Sequence, residues 1–214
     1  MNIIILGPQG SGKGTQAKLL VDKLGLYNFE SGEFLREVAK SNSMIDSLIN
    51  QKGVLLPDGV VFSLVSEFLE QKVPTRDNIL FDGYPRSIKQ YDLLKDWLSE
   101  SGTKINFSIF IDIREKESIR RLSARRICIK CGNVYNLITN PPPSDSCECG
   151  GELIQRTDDT ESAIIKRLKE YKKTTHPLIE LLAKERILIK VDGEKPIDKI
   201  IADIMAKIEN KNEQ

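Results

Sequence analysis

A glycine-rich segment directly after an apolar run leaves few folds open to this chain. Residues Asn2–Leu6 are mostly isoleucine and predict a buried strand, and residues 7–15 then read Gly-Pro-Gln-Gly-Ser-Gly-Lys-Gly-Thr. Apolar residues at helical spacing follow over residues 15–23. A strand, a glycine-rich turn and a helix form the context of a phosphate-binding loop, in which backbone N–H groups and a helix N-terminus meet an anion. Lys13 would add a mobile positive charge, so a turn that binds no ligand is the less favoured alternative.

Short apolar runs and amphipathic helical stretches alternate along the rest of the chain. Further strands are predicted at residues 78–81, 106–113 and 186–191, and helices at residues 60–70, 88–99, 117–123 and 197–209. Continuous apolar strands separated by helices are typical of a parallel sheet covered on both faces. We therefore expect an α/β fold with a doubly wound parallel sheet. Residues 31–59 and 126–159 lack this alternation and predict two insertions in one core.

Length and composition exclude several classes of protein. The chain has 214 residues, 40% of them hydrophobic, and a net charge of +1. That length predicts one domain with insertions, and the hydrophobic fraction excludes a mainly disordered chain. The balanced charge gives no overall attraction to nucleic acid or to an anionic membrane. Residues 1–7 lack the features of a signal peptide, and no apolar run approaches the ~18 residues of a membrane span. We expect a cytoplasmic protein with neither kind of partner.

Asp82 is the second candidate for phosphate chemistry. It follows the predicted strand at residues 78–81, so its carboxylate should face the same sheet edge as the glycine-rich loop. An oxygen ligand there suits Mg²⁺ held through water. Gly14 rather than Ser or Thr follows Lys13, with Thr15 one position later, so no hydroxyl directly after the lysine can bind the ion. The alternative is that Asp82 only caps a turn before Gly83.

These motifs together resemble the adenylate kinase family. The resemblance is carried by residues 7–15, by Asp-Gly-Tyr-Pro-Arg at 82–86, by Arg125 and Arg126, by Arg-Thr-Asp-Asp at 156–159 and by Arg167. It implies a P-loop fold that transfers the γ-phosphoryl group of Mg-ATP to AMP, giving two ADP. It also implies a core of residues 1–30, 60–124 and 161–214, an AMP-binding insertion at 31–59 and a lid at 125–160. The two inserted segments would close over AMP and ATP, and a monomer is expected.

The acceptor in that reaction is already an anionic oxygen, so positioning and charge neutralisation matter more than a general base. The only histidine, His176, therefore needs no catalytic role. The resemblance assigns catalysis to Lys13, Asp82, Arg86, Arg125, Arg156 and Arg167. It assigns ATP binding to Gly10, Ser11, Gly12, Lys13, Gly14, Thr15, Arg121, Arg125, Val134, Tyr135 and Lys195. It assigns AMP binding to Ser31, Arg36, Leu55, Leu56, Gly83, Arg86, Gln90, Arg156 and Arg167.

Some of these assignments carry a more specific expectation. Gln90 would read the adenine edge of AMP, and Tyr135 would cover the adenine of ATP. Arg121 and Arg125 stand four residues apart and are expected on one helical face. Ordinary packing is the alternative for Leu55, Leu56 and Tyr135.

All four cysteines fall in one segment, which resembles the zinc-containing lid of one group of bacterial adenylate kinases. Cys128 and Cys131 are separated by two residues, a spacing that lets both thiolates reach one tetrahedral ion. Cys147 and Cys149 are separated by one residue, where such lids usually have two, and Gly150–Gly151 could relieve the strain. We expect a closed, structural Zn²⁺ site of Cys128, Cys131, Cys147 and Cys149. Reduced metal-free cysteines, a disulfide, or another ligand such as Asp145 are the alternatives.

Three other functions fit parts of the pattern. A related nucleoside monophosphate kinase acting on UMP or CMP, or using GTP with AMP, would share the fold and the chemistry. A zinc-ribbon ATPase that binds nucleic acid would need a basic or aromatic surface, but residues 133–146 contain no Lys or Arg and Tyr135 as their one aromatic residue. A regulatory nucleotide switch would leave the arginines without a purpose.

Overall fold

The computed structural model describes residues 1–41, 45, 56–156 and 159–212, and these form a mixed helix and strand structure. The strands are β1 (Asn2–Leu6), β2 (Tyr27–Glu30), β3 (Ile79–Asp82), β4 (Ile105–Asp112), β5 (Arg125–Cys128), β6 (Val134–Asn136), β7 (Leu153–Ile154) and β8 (Leu188–Asp192). The helices are α1 (Lys13–Leu24), α2 (Ser31–Ser41), α3 (Asp58–Lys72), α4 (Ile88–Ser99), α5 (Glu115–Ser123), α6 (Glu161–Lys184) and α7 (Ile197–Asn212).

Five parallel strands form the central sheet, in the order β2-β3-β1-β4-β8. The side chains of β1 alternate between the two faces, as the strand period of two requires. Ile3 and Ile5 pack with residues of α1 and α7, whereas Ile4 and Leu6 pack with residues of α3, α4 and α6. Both faces are therefore covered by helices, and the predicted doubly wound α/β fold is confirmed.

The strand order brings the candidate residues to one edge of the sheet. The chain runs from β1 to β2 on one side of β1 and crosses to β4 on the other side after β3. Such a change of direction opens a crevice at the carboxyl ends of the strands. The glycine-rich loop leaves β1 there, and Asp82 lies opposite Ile5 at the end of β3.

Two elements of the core were not predicted from the sequence. The strand β2 is short and only half apolar, and it begins after Gly25 ends α1 with a left-handed φ of 64°. The helix α6 continues through Pro177, which normally breaks a helix. Leu178, Ile179 and Leu182 beyond the proline are buried in the core, so their burial outweighs the lost backbone hydrogen bond.

The second predicted insertion contains a small antiparallel sheet, with strands in the order β6-β5-β7. Its core contains Cys128, Tyr135 and Cys147, with Leu153 packed against them. The helices α5 and α6 form the two stems of this unit. Leu122 of α5 packs with Ile164 and Leu168 of α6. The unit lies within the predicted lid range, although the domain division itself stays a prediction.

One local prediction is wrong. The helix α5 ends at Ser123, and Arg125 begins β5. Arg121 and Arg125 therefore do not share a helical face, because the chain changes from helix to strand between them. Among the described helices, none is long and apolar enough to cross a membrane.

Candidate active site

The glycine-rich loop wraps around the side chain of Lys13. The ammonium Nζ donates to the backbone oxygen of Gly7 at 2.7 Å and to that of Pro8 at 3.0 Å. Gly10 and Gly12 have φ values of 82° and 91°, a region in which side chains are strained, so the loop requires glycine at both positions. Ser11 lies buried between them, and Gly14 and Thr15 continue the first turn of α1. The loop residues predicted from the sequence thus lie together at the N-terminus of α1.

Asp82 lies against this first turn. A β-carbon placed on Gly14 would be 3.6 Å from Asp82 Oδ2, an ordinary van der Waals contact, so the carboxylate lies directly beside the loop. Burial raises the pKa of Asp82 to about 6, and the charge of Lys13 partly opposes that rise. Desolvation lowers the pKa of Lys13 to about 8, and Asp82 partly opposes that fall. The two groups therefore stabilise each other's charged form in a poorly hydrated crevice.

Three arginines converge on the same crevice. The charges of Arg86, Arg167 and Arg125 each lower the pKa of Lys13 further, which requires all three guanidinium groups to lie near its ammonium. Arg86 Nε donates to the backbone oxygen of Gly83 at 2.7 Å. Desolvation lowers the pKa of Arg86, and Arg167 and Arg36 add to that effect. A cluster of four cations with two carboxylates, Asp82 and Asp159, among them is suited to a ligand with several negative charges.

Asp159 holds two of these arginines in place. Its side chain is fully buried and accepts from Arg125 Nε at 2.7 Å and Arg125 Nη2 at 2.6 Å. Arg167 Nη1 donates to the same carboxylate at 3.2 Å. Arg156 lies just before it, and the Arg156 backbone oxygen accepts from the Asp159 N–H at 3.1 Å. The exit from the lid therefore positions guanidinium groups that originate on β5 and α6.

The predicted acceptor side is built around Gln90 at the start of α4. Gln90 Nε2 donates to Asp58 Oδ1 at 2.8 Å, and Gln90 Oε1 accepts from the Arg86 N–H at 2.7 Å. Ser87 Oγ donates to the other oxygen of Asp58 at 3.0 Å. A carboxylate only accepts and a backbone N–H only donates, so the amide of Gln90 has one possible orientation. One N–H and one lone pair of that amide are left for a ligand.

The other residues predicted to bind AMP differ in burial and in hydrogen bonding. Ser31 begins α2, is buried, and donates to the backbone oxygen of Gly83 at 2.7 Å. Arg36 lies in α2 with Glu30 at 3.6 Å. Leu56 is buried in the core, as ordinary packing would have it. Leu55 lies outside the described residues.

On the predicted donor side, Arg121 is buried and firmly held. It donates to Glu117 Oε1 at 2.6 Å and to the backbone oxygen of Gly193 at 2.9 Å. Lys195 is exposed in the same loop, 4.0 Å from Asp203. The Tyr135 ring is buried in the lid, as the packing alternative would have it, and its hydroxyl lies 3.4 Å from Cys147 Sγ. The assignment of Tyr135 to the adenine of ATP stays a prediction. Val134 is the exposed side chain at this point of β6.

The four cysteines form a group of the size that a tetrahedral metal site requires. Their Sγ atoms all lie within 4.8 Å of one another, and thiolates at about 2.3 Å from one ion would lie about 3.8 Å apart. The pairs Cys128–Cys149 and Cys131–Cys147 are separated by 3.5 Å, far more than the about 2.05 Å of a disulfide. Asp145 is not part of the group.

Two glycine turns explain how the shorter second pair of cysteines fits. Gly132 N–H donates to the backbone oxygen of Cys128 at 3.0 Å, and Gly150 N–H donates to that of Cys147 at 2.7 Å. Both glycines have a φ of 74°, so the second turn repeats the first with one residue fewer. A β-carbon on Gly151 would lie 2.5 Å from Cys128 Sγ, so only glycine fits there.

Sequence reasoning missed Asp58 and Ser87 as parts of the site. A signal was present, because Ser87 and Gln90 have the spacing of a capping box. Ser87 Oγ indeed accepts from the Gln90 N–H at 3.1 Å. No local pattern pairs Gln90 with Asp58, which lies 32 positions earlier.

Comparison with known proteins gives a consistent result. The family model described as adenylate kinase matches residues 5–187. The adenylate kinase of Methanocella arvoryzae is 42% identical over 213 residues, which are 97% of this chain and 98% of the relative. That of Archaeoglobus fulgidus is 41% identical over 214 residues, 98% of each chain. That of Pyrococcus abyssi is 40% identical over 205 residues, 94% of this chain and 92% of the relative.

Proposed function

The chain belongs to the adenylate kinase family, which catalyses the reversible reaction of ATP with AMP to give two ADP, and we propose that the residues described above divide this work as follows. The resemblance inferred from the sequence motifs is confirmed, and the comparisons do not favour the other kinases or the nucleic-acid-binding ATPase. The convergence of Arg86, Arg125 and Arg167 on Lys13, with Asp82 and Asp159 as the carboxylates beside them, carries the proposal.

Catalysis rests on positioning and charge neutralisation. The AMP phosphate oxygen attacks the γ-phosphorus of ATP in line while the bond from that phosphorus to the β–γ bridging oxygen breaks, so ADP leaves and the negative charge is spread over the equatorial oxygens. Lys13, Arg86, Arg125, Arg156 and Arg167 supply fixed positive charge to those oxygens. Asp159 supports this role because it orients two of the arginines before any substrate binds. No side chain has to remove a proton.

ATP binds at the glycine-rich loop. The backbone N–H groups of Gly10, Ser11, Gly12, Gly14 and Thr15 surround its phosphate chain with Lys13. Arg121 and Lys195 flank the base. From the lid, Val134 contributes through its exposed side chain and Tyr135 through its backbone. Glu117 and Gly193 hold the Arg121 guanidinium through its N–H edge, so a ring would have to pack on its face.

AMP binds between α2 and α4. Arg36 and Arg86 meet its phosphate, Ser31 and Gly83 shape the wall beside it, and Gln90 reads the adenine. The free N–H and lone pair of Gln90 match the acceptor and donor of adenine N7 and N6, whereas guanine offers two acceptors there. Leu56 would complete this subsite by backbone contact, and the assignment of Leu55 to it stays a prediction.

Two metals belong to this proposal. Asp82 would hold Mg²⁺ through water, and the ion would neutralise charge on the ATP phosphates. Cys128, Cys131, Cys147 and Cys149 would hold Zn²⁺ in a closed site that stabilises the lid and takes no part in the transfer. The glycine turns and the distances between the Sγ atoms support that role. A cytoplasmic location, where such thiols stay reduced, agrees with the free cysteines.

The two insertions close over the substrates. Residues 31–59 would cover AMP and residues 125–160 would cover ATP, while residues 1–30, 60–124 and 161–214 form the core. Closure would exclude water that competes with AMP for the phosphoryl group. Because one chain supplies every residue of the site, a monomer is sufficient.

The test is phosphoryl transfer from Mg-ATP to AMP, CMP, UMP or GMP in separate reactions, with the diphosphates separated by chromatography. We expect rapid ADP formation with AMP and little product with the others. Equal or faster transfer to a pyrimidine nucleotide would contradict the assignment of Gln90. ATP hydrolysis that is independent of acceptor would contradict the assignment of the arginines.

A further inference from the structure

The helix that leads into the lid is attached to the glycine-rich loop by one hydroxyl. Ser118 of α5 is fully buried, and its Oγ donates a hydrogen bond to the backbone oxygen of Gln9. A serine within a helix usually bonds to a carbonyl of its own preceding turn. This hydroxyl instead reaches a residue 109 positions away, and the proposed mechanism gives it no role.

A second contact fastens the same peptide unit to the helix. A β-carbon on Gly10 would lie 3.1 Å from the backbone oxygen of Ser118 and 3.1 Å from Leu122 Cγ. The Gln9–Gly10 peptide therefore lies directly on α5. That helix is itself held by Leu122, which packs against Ile164 and Leu168 of α6. The glycine-rich loop therefore packs on α5, and the hydrogen bond from Ser118 sets the orientation of the Gln9–Gly10 peptide on that helix.

The orientation of this peptide decides where one N–H of the loop points. In a planar trans peptide the C=O and the following N–H point in opposite directions. Fixing the Gln9 oxygen toward α5 therefore turns the Gly10 N–H away from the helix. Within the described part of the chain, the backbone hydrogen bonds of the loop include Ser11 N–H to Pro8 but none from the Gly10 N–H.

We propose that Ser118 is a positioning residue for ATP, because its hydroxyl aims the Gly10 N–H at the phosphate chain. This role deepens the proposed function and rests on it for the identity of the nucleotide. It predicts an effect on ATP and none on AMP, because Gln90 and Ser31 have no contact with α5 among the hydrogen bonds of the described residues. A purely structural role would instead disturb both substrates equally.

The experiment compares Ser118→Ala with a matched control, Ser108→Ala. Ser108 in β4 is also fully buried, but its Oγ has no hydrogen-bond partner among the residues described. We expect Ser118→Ala to raise the KM for Mg-ATP about fivefold, as loss of one oriented hydrogen bond would, with the KM for AMP changed less than about twofold. Ser108→Ala should change neither value. Ser118→Thr keeps the hydroxyl and should restore the KM for Mg-ATP.

A second readout needs neither AMP nor turnover. Calorimetric binding of inorganic tripolyphosphate probes the loop alone, and its Kd should rise in Ser118→Ala to the same extent as the KM for Mg-ATP. Equal effects of Ser118→Ala and Ser108→Ala on these values, or a parallel rise in both KM values, would overturn the assignment. If the unmodified protein bound tripolyphosphate more tightly than Ser118→Ala but transferred nothing to AMP, the proposed function would fail while the role of Ser118 in orienting the loop stood.

Discussion

Replacing Asp159 with asparagine should disturb two arginines of the crevice at once. The carboxylate is fully buried and accepts hydrogen bonds from Arg125 at 2.7 and 2.6 Å and from Arg167 at 3.2 Å. Asparagine keeps the shape but removes the charge and turns one acceptor into a donor that faces a guanidinium. Breaking a buried pair costs about 3–5 kcal/mol. Because the arginine side chains are 18% and 29% exposed, water compensates in part, and we expect about 3 kcal/mol.

Two assays follow from that magnitude. For a chain of this length the midpoint of thermal unfolding should fall by about 6–12 °C. The value of kcat should fall about 100-fold, because both guanidinium groups lose their fixed position. The matched control is Glu115→Gln, which breaks the exposed ion pair with Lys172 that also joins α5 to α6. Exposed pairs contribute little, so neither Tm nor kcat should change measurably.

A double-mutant cycle shows whether the effect passes through Arg125. The variants are Asp159→Asn, Arg125→Ala and their combination, and we expect a coupling energy of about 2 kcal/mol in the free energy of unfolding. Strictly additive effects would refute the reasoning. An Asp159→Asn variant with the Tm and kcat of the Glu115→Gln control would refute it as well.

Three further outcomes follow from the site. The value of kcat/KM for Mg-ATP should decline above pH about 8. Desolvation lowers the pKa of Lys13 in the nucleotide-free enzyme to about 8, so Lys13 is positively charged below that pH and loses its charge above it. A flat pH profile to higher pH would show that the charge of Lys13 is not needed for ATP. Replacement of Cys131 with serine should lower both the zinc content and the Tm of the purified protein, and an unchanged Tm would argue against a structural metal. Gln90→Ala should lower the preference for AMP over GMP about tenfold, because it removes the one N–H and the one lone pair that the amide leaves for adenine, and unchanged selectivity would show that Gln90 does not read the base.

The sequence alone was sufficient for the features that depend on neighbouring residues. The loop was recognisable because glycines, Lys13, a preceding strand and a following helix occupy consecutive positions. The strands β1, β3, β4 and β8 were recognisable because each is rich in Ile, Leu, Phe or Val and lies between helical stretches or turns. Cys128 and Cys131 indicated a metal site because two intervening residues place both thiolates on one turn. Local spacing encodes these features, so no knowledge of distant contacts was needed.

The tertiary structure decided which distant residues meet. The sequence left ordinary packing open for Tyr135, and the lid sheet buries its ring beside Cys147. The sequence analysis predicted no helix around Pro177, but burial of the residues beyond the proline keeps α6 intact. Asp58 and Ser118 carried no signal, because each acts on a residue 32 or 109 positions away. Periodicity and turn chemistry are properties of a few consecutive residues, whereas the orientation of an amide or a peptide depends on what the folded chain packs against it.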